Sequence, residues 1–482
     1  MPRQRGAAEP GSRAGTPGPM SVATGWWWPP LLMLALGLWG LGRPGAWTDE
    51  LATWGATQIS WSALVALTQH SDLVMLPYYA AMRVWSHLVG SSDVALRLPS
   101  VLATAGACAL LAVLGGRVAS RRAGLLAGVI LALTPAVSRY AQEQRMYAFA
   151  LLGAVLATLM LHRAMAYPSW PRFALYAGAV VLLGTAHVLA LLLLLAHFAA
   201  VLTAGRAVLL RWLAACALAA APLGPFLYAS ALQRGQVSWI ASVGLSATPW
   251  VIAGVFGSAL VMAVIVGLAL FARPGTGPVP LLLGWAVLPV AALWLVSLHS
   301  PLFVPRYLLF VVPAWALLAG IGLARLSARP VVVVLLLVGL VGVPKQIEMR
   351  AADGHGQDPR AAAAIISQRA VPGDAVAYSL NDARGSWVAR DLVAHYVSPQ
   401  RRPDDVFQVR PQRTDGQLWA AECADVASCL GDRSRIWVVR NGRYEDPLAE
   451  MTPAAKQRLL RERYRVETVE HPPGLTIALL VR

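Results

Sequence analysis

The chain has 482 residues, 57% of them hydrophobic and 13% charged, with a mean hydropathy of +0.57. Apolar stretches near or above about 18 residues recur between Pro29 and Val343, which excludes a soluble enzyme, a secreted disulfide scaffold and a disordered chain. The net charge of +16 resembles a nucleic-acid signal until the chain is divided at Pro344. Residues 344–482 carry 20 Lys and Arg against 18 Asp and Glu, whereas residues 1–343 carry 20 against 6. Basic residues spread through the short loops of an apolar region report membrane topology, so no nucleic-acid partner is expected.

In chain order, residues 1–25 hold Arg3, Arg5 and Arg13 and read as a disordered cytoplasmic tail. Trp26, Trp27 and Trp28 mark an interface, and the apolar run 29–42 reads as an uncleaved signal anchor. A cleavable signal peptide is the alternative, but no small-x-small cleavage site follows. Ten more apolar segments follow, at 94–115, 123–138, 146–161, 173–186, 188–204, 212–231, 249–271, 279–298, 307–323 and 330–343, giving about eleven spans. With the N-terminus inside, the turns bearing Arg117, Arg121 and Arg122, then Arg163 and Arg172, Arg206 and Arg211, Arg273, and Arg325 and Arg329 all face the cytoplasm. This parity requires a break at 184–187.

The expected domains are thus the tail 1–25, a transmembrane domain 26–343 and an extracytoplasmic α/β domain 344–482. Apart from Glu9, the acids of the membrane part are Asp49, Glu50, Asp72, Asp93 and Glu143, and all five fall on the outer side. Four of them share a first outer loop, 47–93, whose apolar stretches predict helices lying on the membrane surface. In the last domain, β-like runs at 375–380, 435–440 and 475–481 alternate with helix-like segments at 359–369, 387–396 and 453–464. Cys423 and Cys429 are expected to form a local disulfide in an oxidising compartment, with two free thiols as the alternative; Cys108 and Cys216 read as packing residues.

Three constellations carry chemistry. Asp49 and Glu50 follow the first span, where a carboxylate near hydrocarbon is costly unless it is paired or used; the functional reading is a general base, the bland one a pair of helix-capping acids. The turn SRYAQEQRMYAF concentrates Arg139, Glu143, Arg145 and two tyrosines, Tyr140 and Tyr147, with a Glu143–Arg145 ion pair as its bland reading. HSPLFVPRYLLF brings His299, Arg306 and Tyr307 to the outer mouth of a span, where an arginine can also snorkel to headgroups. A carboxylate can deprotonate an incoming hydroxyl while guanidinium groups hold a departing phosphate.

The order of these motifs, with HSDLVMLPYY in the first outer loop and LRLPSVLA entering the second span, resembles the GT-C glycosyltransferases. Within them it is most similar to the bacterial dolichyl-phosphate-mannose protein mannosyltransferase-like (family 39) and aminoarabinose transferase-like branch, over roughly residues 30 to 330. The resemblance implies a mainly α, polytopic GT-C-like domain that transfers mannose or another sugar from a polyprenyl-phosphate donor to a hydroxyl of a glycan, lipid or protein at the outer face. It implies Asp49, with Glu50 beside it, as the catalytic acid position, and Arg145 and Arg306 as donor-phosphate ligands. Glu143, Tyr147, Tyr307, His299 and Asp72 stand as supporting residues, although Asp72 precedes a single Pro77 where relatives carry a proline pair. No cofactor is certain, and a divalent metal stays open because no metal-spacing motif is present. The competing class is a transporter or flippase of lipid-linked sugars, with His187 and His197 as its candidates for a proton path.

Overall fold

The computed structural model describes residues 26–482 apart from 234, 236–239, 241, 273–277, 381, 383, 384 and 386. The N-terminal tail 1–25 and Arg273 lie outside the described residues.

All eleven apolar segments fold as helices, but they differ in reach. Among the described residues six are long and apolar enough to cross a membrane: Asp93–Val118, Tyr147–Ala166, Arg206–Leu232, Val279–Ser297, Pro305–Leu323 and Ala328–Glu348. Counting two bent pairs raises this to eight. Trp28–Leu38, Trp170–Ala186 and Val188–Leu202 are shorter. An 11-residue helix such as Trp28–Leu38 extends only about 16 Å, roughly half a hydrocarbon core, so the expected eleven full spans become six to eight by length. The break expected at 184–187 falls at His187, whose backbone is extended between two helices.

The bends have local causes. Arg121–Leu133 and Pro135–Ala141 meet at 68°, because Thr134 is extended and Pro135 starts a new helix without an N–H to give back. Thr248–Phe256 and Ala259–Ala269 meet at 78°, where Gly257 adopts φ +95° and the Ser258 side chain accepts from Val261 N to cap the next helix. The two bends touch: a Cβ on Gly257 would lie 2.9 Å from Ala136 N. Small residues bring Asp93–Val118 and Arg121–Leu133 together, since a Cβ on Gly124 would sit 2.1 Å from the Ala112 carbonyl.

The first loop folds as Thr48–Gln58, Trp61–His70 and Leu76–Val89. The last of these buries Tyr78, Tyr79 and Met82 while exposing Val84 and Leu88.

The C-terminal region forms strands β1 (Ala375–Tyr378), β2 (Gln408–Arg410), β3 (Ala421–Glu422), β4 (Arg435–Asn441), β5 (Arg465–Glu470) and β6 (Leu475–Val481). A four-stranded sheet runs β1-β4-β6-β5, parallel between β1 and β4 and antiparallel elsewhere; β2 and β3 pair separately. Both sheet faces are covered. Val376, Trp437 and Ile477 pack under helices Pro359–Arg369 and Val388–Tyr396, while Ala377, Ile436 and Leu480 pack under Val426–Leu430 and Ala454–Arg463. Cys423 and Cys429 are bonded beside the second layer. This region docks on the first loop through its own polar side chains: Gln357 Oε1 accepts from Thr48 N at 2.9 Å, and Tyr396 OH donates to Asp93 Oδ2 at 2.8 Å.

Candidate active site

Helix Thr48–Gln58 starts after an extended Trp47, so Asp49 and Glu50 occupy its first turn, where helix N–H groups favour negative charge. Successive helix residues point about 100° apart, and the two carboxylates diverge. Glu50 is completely buried. Its Oε1 accepts from Arg97 Nε at 2.8 Å and Gln144 N at 3.0 Å; its Oε2 accepts from Arg97 Nη2 at 2.6 Å and His355 Nδ1 at 3.1 Å. Arg97 spends its remaining donors on the carbonyls of Leu41, Pro44 and Gly45. Burial opposes ionisation of Glu50, but the charge and hydrogen bonds of Arg97, with those of His355, outweigh it and hold the carboxyl well below its usual range. Burial, with Arg139 nearby, pushes His355 down to about 3, so it stays neutral and donates from Nδ1. The geometry therefore parts Glu50 from the catalytic role expected beside Asp49, because both its oxygens are already committed inside the protein.

Asp49 keeps 24% of its side chain exposed and faces Arg145, with Oδ2 3.9 Å from Nε. That separation is an ion pair without a hydrogen bond, and Arg145 Nε is buried with no hydrogen-bond partner among the described residues. Burial disfavours the Arg145 charge, yet Asp49, Tyr147, Tyr79 and Asp72 more than restore it and raise its pKa. Asp72 sits in the left-handed region at φ 59°, and its Oδ2 accepts from Tyr79 OH at 3.1 Å. Burial raises the Asp72 carboxyl against the opposing pull of Arg145.

Glu143 takes a different partner from the one its sequence position offered. Arg139 Nη1 lies 3.2 Å from its Oε2, and Trp47 Nε1 donates to its Oε1 at 2.7 Å, so the intraloop pair with Arg145 does not form. Burial pushes the Glu143 carboxyl up despite Arg139. Gln142 fixes the turn under the first helix by donating to the carbonyls of Gly37 (2.9 Å) and Trp39 (2.8 Å). Arg306 lies 5.8 Å from the Trp47 ring centroid and 5.6 Å from that of Tyr307. Tyr147 stands 6.4 Å from Tyr307 and 5.3 Å from Tyr140, and the His187 ring is 5.2 Å from Tyr307. Asp49, Arg145 and Arg306 thus cluster with five rings, those of Trp47, Tyr140, Tyr147, His187 and Tyr307.

His299 does not join them. It is exposed, and the irregular stretch 301–304 separates it from Arg306, with no hydrogen bond or ring contact between its side chain and the cluster among the described residues. Two participants, Arg97 and His355, lie outside the constellations read from the sequence. Arg97 lay inside LRLPSVLA, where an arginine four residues into an apolar helix was itself a signal for a buried acid partner. His355 carries no local signal. His187, a proton-path candidate under the transporter reading, caps the end of helix Trp170–Ala186 beside Tyr147 and Tyr307. His197 bonds to Thr158 Oγ1 (3.1 Å) and Tyr176 OH (3.0 Å), a packed and satisfied position. Among the described residues no group of three His, Cys, Asp or Glu side chains converges as metal ligands would.

A bundle of straight and broken apolar helices, a helical first loop with acids at its start and an α/β layer docked over it make a fold that the chain shares with solved structures. Over 93% of its length it superposes on 96% of ArnT from Cupriavidus metallidurans, in a crystal structure bound to undecaprenyl phosphate, with a TM-score of 0.63 at 14% identity. The apo structure of the same enzyme gives 0.62. An Archaeoglobus fulgidus oligosaccharyltransferase, in complex with zinc and sulfate, matches 93% of this chain and 72% of its own at a TM-score of 0.50 and 14% identity. No family model matches the chain, and no curated protein matches it in sequence.

Proposed function

We propose that the chain is a membrane glycosyltransferase that moves a sugar, hexose or pentose, from a polyprenyl-phosphate donor to an acceptor hydroxyl of a cell-envelope glycan, lipid or protein. The observation that carries this reading is the pairing of a partly exposed carboxylate, Asp49, with the guanidinium of Arg145, with Arg306 nearby. Asp49 accepts the proton of the acceptor hydroxyl as that oxygen bonds to the anomeric carbon. The bond from that carbon to the phosphate oxygen breaks, and its electron pair leaves with the polyprenyl phosphate. Arg145 and Arg306 meet the charge that grows on the leaving group, and the anomeric configuration inverts. Glu50 and Arg97 hold the helix that carries Asp49, and Tyr147, Tyr307 and His187 wall the donor side.

The fold likeness to ArnT, whose crystal structure holds undecaprenyl phosphate, supports a lipid-borne donor. The site faces away from the cytoplasm in this reading, with the C-terminal region extracytoplasmic. The test is transfer by purified protein from a panel of radiolabelled polyprenyl-phosphate sugars to membrane acceptors. Transfer by the wild type that disappears in Asp49→Asn is the expected result; transport of lipid-linked sugar across vesicles without transfer would favour the flippase reading.

A further inference from the structure

The segment that delivers Asp49 is held from two sides. Trp47 and Asp49 turn their side chains to the membrane part, where Trp47 Nε1 donates to Glu143 Oε1 at 2.7 Å and Asp49 faces Arg145. The residues between and beside them are held by the C-terminal region. Ala46 N donates to Tyr396 OH at 2.8 Å, Thr48 N and Oγ1 donate to Gln357 Oε1 at 2.9 and 3.1 Å, and His355 Nδ1 donates to Glu50 Oε2 at 3.1 Å. Further upstream, Gly45 N donates to the Ala352 carbonyl at 3.0 Å, and Arg360 Nη1 donates to the carbonyls of Gly42 and Arg43. Gly45 allows this approach, since a Cβ there would lie 2.4 Å from Pro359 Cδ.

Gln357 has a particular place among these contacts. Helix Thr48–Gln58 starts after Trp47 without a side-chain cap of its own. The first N–H groups of a helix have no partner within it, and the first of them here, on buried Thr48, finds its acceptor 309 positions away. The Gln357 amide is buried and fixed in turn: its Nε2 donates to Asn441 Oδ1 at 2.5 Å, and Asn441 N donates to Asp382 Oδ2 at 2.8 Å. One side chain thereby ties the helix start to the end of strand β4. The residue that follows Thr48 is Asp49.

We propose that Gln357 is a positioning residue for Asp49, so that the C-terminal region completes the active site by capping the helix that carries the base. The inference rests on the glycosyltransferase reading for the role of Asp49; the cap itself rests on the contacts above. A carboxylate that must come within hydrogen-bond reach of an acceptor hydroxyl tolerates little displacement, and the capped N–H next to it fixes the turn from which it projects. Arg145 and Arg306 are carried by other segments of the chain, so loss of the cap weakens the proton transfer and spares the grip on the donor phosphate.

The test compares three variants of the full-length protein in detergent. Gln357→Leu keeps the bulk and removes the acceptor. Gln357→Glu keeps an acceptor, at a helix start where negative charge is favoured. Leu480→Ala is the control, a cavity in the core layer opposite the one that receives Ala46 and Leu51. Turnover per donor site, counted by binding of undecaprenyl phosphate, falls by roughly 10- to 100-fold in Gln357→Leu with donor KM unchanged. Gln357→Glu regains most of it. Leu480→Ala lowers the melting temperature and leaves turnover per site as in the wild type. Hydrogen exchange of the peptide 46–54 is a readout that needs no activity: it quickens in Gln357→Leu and in neither of the others. Wild-type turnover in Gln357→Leu, an equal loss in Leu480→Ala, or exchange at 46–54 that ignores position 357 overturns the proposal. Exchange that follows position 357 in a protein that transfers no sugar upholds the cap and removes the enzymatic reading instead.

Discussion

Arg145 faces Asp49 across 3.9 Å, while Glu143, two residues earlier in the same turn, is claimed by Arg139. The acid that kept its water contact is therefore the one opposite an arginine with a spare N–H. That relationship makes Asp49 and Glu50, adjacent in sequence, separable by experiment.

Asp49→Asn preserves shape and removes the base. Turnover is expected to fall by roughly 10²- to 10⁴-fold with the melting temperature unchanged. Glu50→Gln strips Arg97 of its buried counter-charge and is expected to cost about 3–5 kcal/mol of stability. Thermal unfolding in detergent beside a transfer assay distinguishes the two; a stable, inactive Glu50→Gln would reverse the assignment.

Arg306→Ala and Arg145→Ala are expected to raise the donor KM and lower turnover together, each by about tenfold or more, because a phosphate charge present in the bound donor grows as it departs. Arg145→Lys should not restore full activity, since an ammonium cannot replace the planar fork. Steady-state kinetics over donor concentration is the measurement.

Acid should loosen the junction between the first loop and the C-terminal region. His355 is held neutral, its pKa lowered to about 3 from an ordinary value of 6.5, so the unfolded chain takes up a proton first as pH falls. Stability present above about pH 6.5 is lost progressively down to pH 3. Glu50 acts in the same sense below its ordinary range, since its folded pKa is also depressed. His355→Gln should flatten the part of the melting-temperature profile between pH 6.5 and 4.5, where Glu50 has not begun to protonate; an unchanged slope there would count against the assignment.

Reduction of the Cys423–Cys429 bond, or Cys→Ser at both positions, should cost about 2 kcal/mol locally and leave sugar transfer intact. Mass spectrometry of non-reduced peptides from protein made in an oxidising compartment should recover the linked pair.

A phosphatase reporter fused after residue 350 should be active if the C-terminal region is extracytoplasmic. An inactive fusion there, with an active cytoplasmic reporter in its place, would put the site on the other face.

The sequence was most legible where the signal is local. Apolar runs locate the helices, Pro135 and Gly257 mark the two breaks, and strands β1 and β6 fall within the β-like runs of the C-terminal region while β4 extends one residue past its run. Edge strand β5 was missed because its residues, RVETVE, face solvent and carry no buried alternation. Helix length among the described residues supports six to eight spans against the eleven expected, because hydropathy along the sequence does not show how far each helix reaches. Asp49 was legible from its place after the first helix, but the fate of Glu50 was not. Its neighbours Arg97 and His355 lie 47 and 305 positions away, and no local pattern announces such a meeting. His299 was misplaced for the opposite reason, since nearness in sequence to Arg306 was taken for nearness in space.

The position of His355 bears on how the protein is made. Glu50 and Arg97 emerge early in synthesis, whereas the imidazole that covers them is about 250 residues behind Arg97 and follows every membrane helix. Until then the ion pair stands open to water on a chain still being inserted. Its closure requires that the last helix, the linker carrying Arg350 and the start of the C-terminal layer have all reached their places.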